Sequence, residues 1–160
     1  VLMRHGKSGY PDGVADHERP LADRGRREAA LAGEWMVEDG LRIDVVLCST
    51  SVRTRETLER TGIDAPTTYL DDLYGGSPED VFEALRIHVP QDAETALVVG
   101  HHPGMPATAL TLDPAGTIDR FPTSAYAVVE VGSDWADIGV ITDPAARLVA
   151  LRVPRQASHD

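Results

Sequence analysis

The sequence has little of several features that define whole classes of protein. Its 160 residues include one cysteine, Cys48, which excludes an internal disulfide framework and a zinc site built from several thiolates. No stretch approaches the ~18 consecutive apolar residues of a membrane span. The first residues show no basic-then-apolar signal peptide. We therefore expect a cytoplasmic protein with no membrane partner.

Net positive charge is lacking as well. Asp and Glu number 26 against 15 Lys and Arg, so the formal net charge is -11. Nucleic acids and anionic membranes bind positively charged surfaces, and we expect neither as a partner. The hydrophobic fraction of 42% argues against disorder, and the length predicts a single domain over residues 1–160.

The few basic residues are almost all of one kind. Fourteen are arginine and one, Lys7, is lysine. A guanidinium group is planar and binds phosphate through two parallel hydrogen bonds, which an ammonium group cannot do. The positions of the arginines therefore bear on function.

Apolar runs and turn-forming residues predict strands and helices in alternation. Strands are predicted at 1–3, 45–48, 67–70, 96–99, 125–131, 138–142 and 146–153. Helices are predicted at 23–39, after Ser51 to about residue 61, after Ser77 to about residue 89, and at 105–112. The last two strands are expected to form a hairpin through Asp143-Pro144. This order predicts an α/β three-layer sandwich, with a mainly parallel central sheet, some antiparallel strand and helices on both faces.

Polar clusters follow three of these strands. Arg4 and His5 come directly after the first strand, Arg53 comes shortly after the second, and His101 follows the buried strand that ends in Gly100. Ligands of open α/β sheets bind at the carboxyl ends of the strands, so we expect the clusters to meet at one rim. Arginine binds phosphate oxygens, and histidine can attack phosphorus. The clusters predict a phosphate site.

Taken together, the three clusters resemble the motifs of the histidine phosphatase superfamily. The matching segments are Arg4-His5-Gly6, the stretch Ser49 to Thr57 that contains Arg53, and Gly100-His101-x-Pro103-Gly104. The short length and the segment Arg19-Pro20-Leu21 are similar to the SixA-type phosphohistidine phosphatases in particular. The resemblance extends from residue 1 to about residue 131, and the fold it implies is the one shared with phosphoglycerate mutases.

The resemblance implies a hydrolase that works without a metal or other cofactor. In the family, the histidine that corresponds to His5 is the nucleophile, which is transiently phosphorylated and then hydrolysed. Arg4, Arg53 and His101 would bind the phosphoryl oxygens. Repulsion from the two arginines favours a neutral His5, and a carbonyl accepting from its other ring nitrogen would fix the tautomer. The substrate would be a phosphorylated protein or a small phosphomonoester.

The general acid is a point of departure from the family. Larger members have a glutamate after the third strand, where this sequence has Leu70-Asp71-Asp72. Asp72 is the candidate acid if burial raises its pKa, and a solvated loop carboxylate is the alternative. SixA-type relatives commonly manage without this acid, because the leaving nitrogen of phosphohistidine is easily protonated.

Three other functions compete with this interpretation. A cysteine-dependent phosphatase would use Cys48, but only four residues separate it from Arg53, one fewer than the loop of that class needs. Phosphoglycerate mutases share the site but are longer and carry extra segments over it. A non-catalytic phosphate-binding module would not need His5 as well as Arg4, Arg53 and His101.

Overall fold

The protein is described here from a computed structural model, which covers residues 1–155. Its strands are β1 (Leu2–Arg4), β2 (Val45–Ser49), β3 (Thr67–Leu70), β4 (Ala96–Gly100), β5 (Tyr126–Glu130) and β6 (Arg147–Arg152). Its α-helices are α1 (Asp23–Glu38), α2 (Val52–Thr61), α3 (Pro78–His88) and α4 (Gly104–Leu112). Single 3-10 turns cover Asp16–Glu18, Asp71–Leu73 and Trp135–Asp137. Within the described residues, no helix is long and apolar enough to cross a bilayer.

All six strands form one sheet in the order β3-β2-β4-β1-β5-β6. The four strands from β3 to β1 are parallel, whereas β5 pairs antiparallel to β1 and β6 pairs antiparallel to β5. The register places Arg4 beside Gly100, so the carboxyl ends of β1 and β4 lie side by side. This arrangement confirms the predicted mixed sheet and brings the three polar clusters to one edge.

Helices cover both faces of the sheet, as the three-layer prediction requires. On one face Met3, Val46 and Leu97 pack against α1 and α2. On the opposite face the neighbouring residues Leu2 and Val98, among others, pack against α3 and α4. Since consecutive strand residues point to opposite faces and both faces are buried, these strands show continuous apolar runs in the sequence.

The predicted strand at 138–142 is wrong. Ile138 is buried in the core, but Gly139 adopts φ +75° directly after it, and the exposed residues Val140 and Ile141 follow. A left-handed φ reverses the chain and cannot be part of an extended strand. The hairpin partner of β6 is therefore β5, and the segment between them folds back to fill the core beside Phe82.

The loop after β1 returns to its starting point. Ser8 and Leu21 form an isolated antiparallel bridge. The amide of Gly9 donates to the carbonyl of Pro20 at 2.9 Å, just inside that bridge. Residues 9–20 therefore leave and rejoin the body of the protein at one place.

Candidate active site

The carboxyl ends of the parallel strands surround a cavity of about 300 Å³. Arg4 and His5 reach it from the end of β1, Arg53 from the first turn of α2, and His101 from the residue after β4. The structure thus brings together four of the five residues that the sequence singled out. Their approach from three strand ends follows from the parallel pairing.

A larger cavity of about 570 Å³ lies elsewhere, between the end of α4 and residues 139–147. The two carboxylates that line it accept hydrogen bonds from the backbone. Asp113 accepts from the amide of Leu148 at 2.9 Å, and Asp143 accepts from the amide of Gly132 at 2.8 Å. Because these groups are already paired with the backbone, cavity size does not identify the site. The chemistry of the lining residues does.

His5 is held in one tautomer. Its Nδ1 lies 2.7 Å from the carbonyl oxygen of Gly6, and a carbonyl can only accept, so Nδ1 carries the proton. The unprotonated Nε2 accepts from Nε of Arg53 at 3.3 Å. Burial first, and then His101 and the two arginines, lower the pKa of His5 to about 3. The ring is a neutral imidazole whose Nε2 lone pair is held by Arg53, another residue of the cavity lining.

The backbone around His5 is hydrogen-bonded to β4, to α2 and to the loop before β5. Its amide donates to the carbonyl of Gly100 at 3.0 Å, and its carbonyl accepts from the amide of Ser124 at 3.0 Å. The next amide, Gly6, donates to the hydroxyl of Thr57 at 2.9 Å. The hydroxyl of Thr57 thus ties the loop after β1 to α2, and the three bonds together fix the position of His5 relative to β4 and α2.

Two guanidinium groups face the same cavity. Arg4 donates from Nη1 to the carbonyl of Phe121 at 3.0 Å, while its buried Nε has no partner among the described residues. Burial lowers the pKa of Arg4 from its usual value. Arg53 donates from Nε to Nε2 of His5, from Nη1 to the backbone carbonyl of Asp16 and from Nη2 to the carboxylate of Asp16. Each guanidinium has five N–H groups, so both keep donors for a phosphoryl group.

His101 is the fourth predicted residue in the cavity, and a hydrogen bond with Ser49 orients its ring. The two histidine rings of the site, His5 and His101, meet edge to face with centroids 5.3 Å apart. Nε2 of His101 lies 2.8 Å from the hydroxyl of Ser49, which leaves Nδ1 for the cavity. Burial first, and then the charge of Arg53, lower the pKa of His101 to about 4. Ser49 had no predicted role, although it is the last residue of β2 and the strand-end rule points to it.

Asp16 and Tyr74 also line the cavity, and the sequence analysis missed both. Asp16 accepts from Arg53 at 3.1 Å, from Arg19 at 3.0 Å and from the hydroxyl of Tyr74. Hydrogen bonds from Tyr74, then Arg53 and Arg19, hold the pKa of Asp16 well below its usual value. The one signal in the sequence for Asp16 was its spacing of three residues from Arg19, with which it forms an ion pair. Tyr74 had none, because a 3-10 turn carries it to the site.

The fifth candidate, Asp72, is not brought to the cavity. It lies exposed in the 3-10 turn Asp71–Leu73 and is absent from the cavity lining. Its use as a general acid stays a prediction that this placement does not support. Residues 1–155 also contain no group of three or more His, Cys, Asp and Glu side chains placed to hold a metal.

Cys48 is poorly placed for the competing thiol mechanism. Its side chain is fully buried among the residues that face α1 and α2, and its thiol donates to the carbonyl of Ser49. Burial raises the pKa of Cys48 to about 12. A thiol in this state supplies almost no thiolate, which is the nucleophilic form.

Both site histidines should titrate well below the usual pKa near 6.5. We expect the ring signals of His5 and His101 to show no titration in NMR spectra between about pH 8 and pH 5.5. The unfolded chain takes up these protons near pH 6.5 and the folded chain only near pH 3 to 4. The free energy of unfolding therefore falls as the pH drops through this window. A midpoint near 6.5 for either ring would contradict the geometry.

Comparison with known proteins identifies the family. The family model of the histidine phosphatase superfamily (branch 1) matches residues 1–74. An uncharacterized protein of Mycobacterium tuberculosis is 47% identical, and the alignment covers 96% of this chain and 100% of that protein. Phosphohistidine phosphatase SixA of Escherichia coli is 30% identical, over 80% of this chain and 82% of SixA. The chain belongs to the histidine phosphatase superfamily.

Within that superfamily the chain is SixA-like over nearly its whole length. A solved structure provisionally identified as phosphohistidine phosphatase SixA from Nakamurella multipartitia is 39% identical, with a TM-score of 0.85, over 96% of this chain and 94% of the other. The protein histidine phosphatase SixA complexed with tungstate is 27% identical, with a TM-score of 0.79, over 95% and 94%. These likenesses extend past residue 74 and include the segment that carries His101.

Proposed function

We propose that this phosphatase hydrolyses phosphohistidine on proteins through a phosphorylated His5. The observation that carries the proposal is the tautomer of His5, whose Nδ1 donates to the carbonyl of Gly6 and whose unprotonated Nε2 accepts from Arg53 in the cavity lining. A neutral imidazole with an unprotonated nitrogen beside two guanidinium groups is a nucleophile next to an anion site.

The first step transfers the phosphoryl group to His5. The lone pair of Nε2 forms the new N–P bond while the bond from phosphorus to the leaving nitrogen breaks, and its electrons go to the leaving nitrogen. The phosphoryl oxygens accept hydrogen bonds from Arg4, Arg53 and His101, which neutralise charge during transfer. Phosphate displaces His5 from Nε of Arg53, because both use the same donor.

In the second step water hydrolyses the phosphohistidine. Water adds to phosphorus, the bond to Nε2 of His5 breaks, and inorganic phosphate leaves with the two protons of the water. His5 regains the lone pair on Nε2. Its Nδ1 keeps its proton and donates it in a hydrogen bond to the carbonyl of Gly6 throughout. The residue therefore needs no change of tautomer between the two steps.

The named relatives support the substrate. SixA of Escherichia coli is a phosphohistidine phosphatase, and a SixA structure is complexed with tungstate, a tetrahedral oxyanion. The nucleophile lies on the floor of the cavity at 7% exposure, while His102 on the rim is exposed. A protein side chain can therefore present its phosphoryl group without entering fully.

A substrate panel tests the proposal. We expect turnover of a phosphohistidine protein to exceed that of sugar, nucleotide and phosphoserine monoesters, measured as kcat/KM by phosphate release. A strong preference for monoesters would assign the protein as a small-molecule phosphomonoesterase. Phosphate binding without any turnover would assign it as a non-catalytic module.

The location and the remaining partners belong to the same proposal. We propose that the protein acts in the cytoplasm, where a reducing environment suits its buried free thiol at Cys48. Its net charge of -11 supports the expectation that nucleic acid is not a partner. Cell fractionation and a nucleic-acid binding assay at low salt test these two points.

A further inference from the structure

One residue of the cavity has the wrong charge for an anion site. Asp16 places a carboxylate where the other charged lining residue beside it, Arg53, serves a phosphoryl group. Both carboxylate oxygens are engaged, Oδ1 with Arg19 and Oδ2 with Arg53 and Tyr74, so the carboxylate is fixed and ionised. Arg19 and Arg53 offset much of this negative charge, but the carboxylate still makes the mouth less favourable to an anion, and more favourable to a cation, than the guanidinium groups alone would.

Arg53 lies between His5 and Asp16 and is hydrogen-bonded to both. The Nε end of its guanidinium lies 3.3 Å from Nε2 of His5, and its Nη2 end lies 3.1 Å from Asp16. The side chain of Arg53 is 7% exposed and that of Asp16 is 56% exposed, so the series His5, Arg53, Asp16 runs from the floor to the mouth. A phosphoryl group attacked from the floor has its leaving group on the opposite side, toward the mouth.

Tyr74, which lines the cavity and donates its hydroxyl to Asp16, packs among aromatic rings. The ring of Tyr74 contacts those of His101 and His17 edge to face, with centroids 5.3 and 4.9 Å apart. His17 is itself anchored by a hydrogen bond of 2.9 Å between its Nε2 and the hydroxyl of Thr50. These contacts hold the ring of Tyr74 in place, and with it the hydroxyl that Tyr74 donates to Asp16.

Building on the proposed function, we propose that Asp16 is a specificity-determining residue that selects phosphoramidates with a cationic leaving group over phosphomonoesters. The leaving imidazole of phosphohistidine is positively charged when its second ring nitrogen is protonated, and it departs as neutral imidazole once the P–N bond breaks. The leaving oxygen of a monoester instead gains negative charge. Asp16 favours the first substrate and disfavours the second.

The experiment compares two substrates on matched variants. Asp16→Asn removes the charge with almost no change of shape, and Asp16→Glu keeps it. Asp12→Asn removes one charge from the same loop at an exposed residue outside the cavity. For each protein, kcat/KM is measured for a phosphohistidine peptide and for p-nitrophenyl phosphate, and the thermal midpoint is recorded as a check of folding.

We expect the ratio of the two kcat/KM values to fall about fivefold in Asp16→Asn, the effect of one charge pair that is partly screened by solvent. The ratio should be retained in Asp16→Glu and in Asp12→Asn. The Asp16→Asn variant should also bind inorganic phosphate more tightly than the wild type, since a repulsive charge is gone. This binding can be measured by calorimetry without any turnover.

Two results would overturn the inference, and they are distinguishable. If Asp16→Asn loses the same factor on both substrates and binds phosphate more weakly, Asp16 only positions Arg53, and the proposed function stands. If the wild type binds phosphate but turns over neither substrate, the proposed function itself fails, and the selectivity fails with it.

Discussion

Replacing His5 with alanine is expected to lower kcat by about 10⁴-fold or more, because the variant has no nucleophile to form the covalent intermediate. The remaining groups, Arg4, Arg53 and His101, still bind the phosphoryl group, so affinity for inorganic phosphate should change far less than turnover. Brief exposure of the wild type to labelled substrate should leave acid-labile, base-stable phosphate on the protein, and the alanine variant should carry none.

The control for this experiment is Cys48→Ser. Its thiol is buried and its pKa is raised to about 12, so the serine variant should keep its turnover and its labelled phosphate. Full activity in His5→Ala together with loss in Cys48→Ser would reverse the assignment and favour the thiol mechanism.

The second large effect is expected at Arg53. Its guanidinium donates from Nε to His5 and from Nη2 to Asp16 at the mouth of the cavity, so in the proposed mechanism one side chain spans the path of the phosphoryl group. Arg53→Ala should lower kcat/KM by about 10³-fold, the range found when an arginine that stabilises phosphoryl transfer is lost. Arg53→Lys should recover little, because an ammonium group cannot reproduce the planar fork.

Arg55→Ala provides a matched control on the same helix. Arg55 is exposed, donates from Nε to the carbonyl of Thr50 at 2.8 Å and lies over the ring of Tyr69 at 4.5 Å, outside the cavity. It carries the same charge as Arg53, so the comparison separates position from net charge. Equal losses in the two variants, measured by steady-state kinetics, would contradict a specific role for Arg53.

Most of the fold could be predicted because local patterns agree with the tertiary structure. The strands β2 and β4 are short, fully buried and mostly apolar runs, and the helix after Ser77 begins with a capping box between Ser77 and Asp80. The prediction failed at 138–142, where the apolar residues resemble a strand. Gly139 turns the chain there, so only Ile138 packs in the core and the apolar residues after it are exposed.

The residues of the site also fall into two groups, those that the sequence predicted and those that only the structure shows. His5, Arg4, Arg53 and His101 follow strand ends and belong to compact motifs, so sequence and topology were enough to find them. Asp16 meets Arg53 across 37 positions in the sequence and Tyr74 across 58. Such contacts depend on how a loop and a 3-10 turn come together in three dimensions, and no local pattern encodes them.

The bridge between Ser8 and Leu21 has a consequence for how such an enzyme can diversify. It pins both ends of residues 9–20, the segment that supplies Asp16, while His5 lies outside it and is tied to β4 and α2. Closing a somewhat longer loop costs little extra entropy when its ends are already fixed. Insertions or exchanges in this segment can therefore reshape the mouth of the cavity around Asp16, while the backbone hydrogen bonds that hold His5 stay in place.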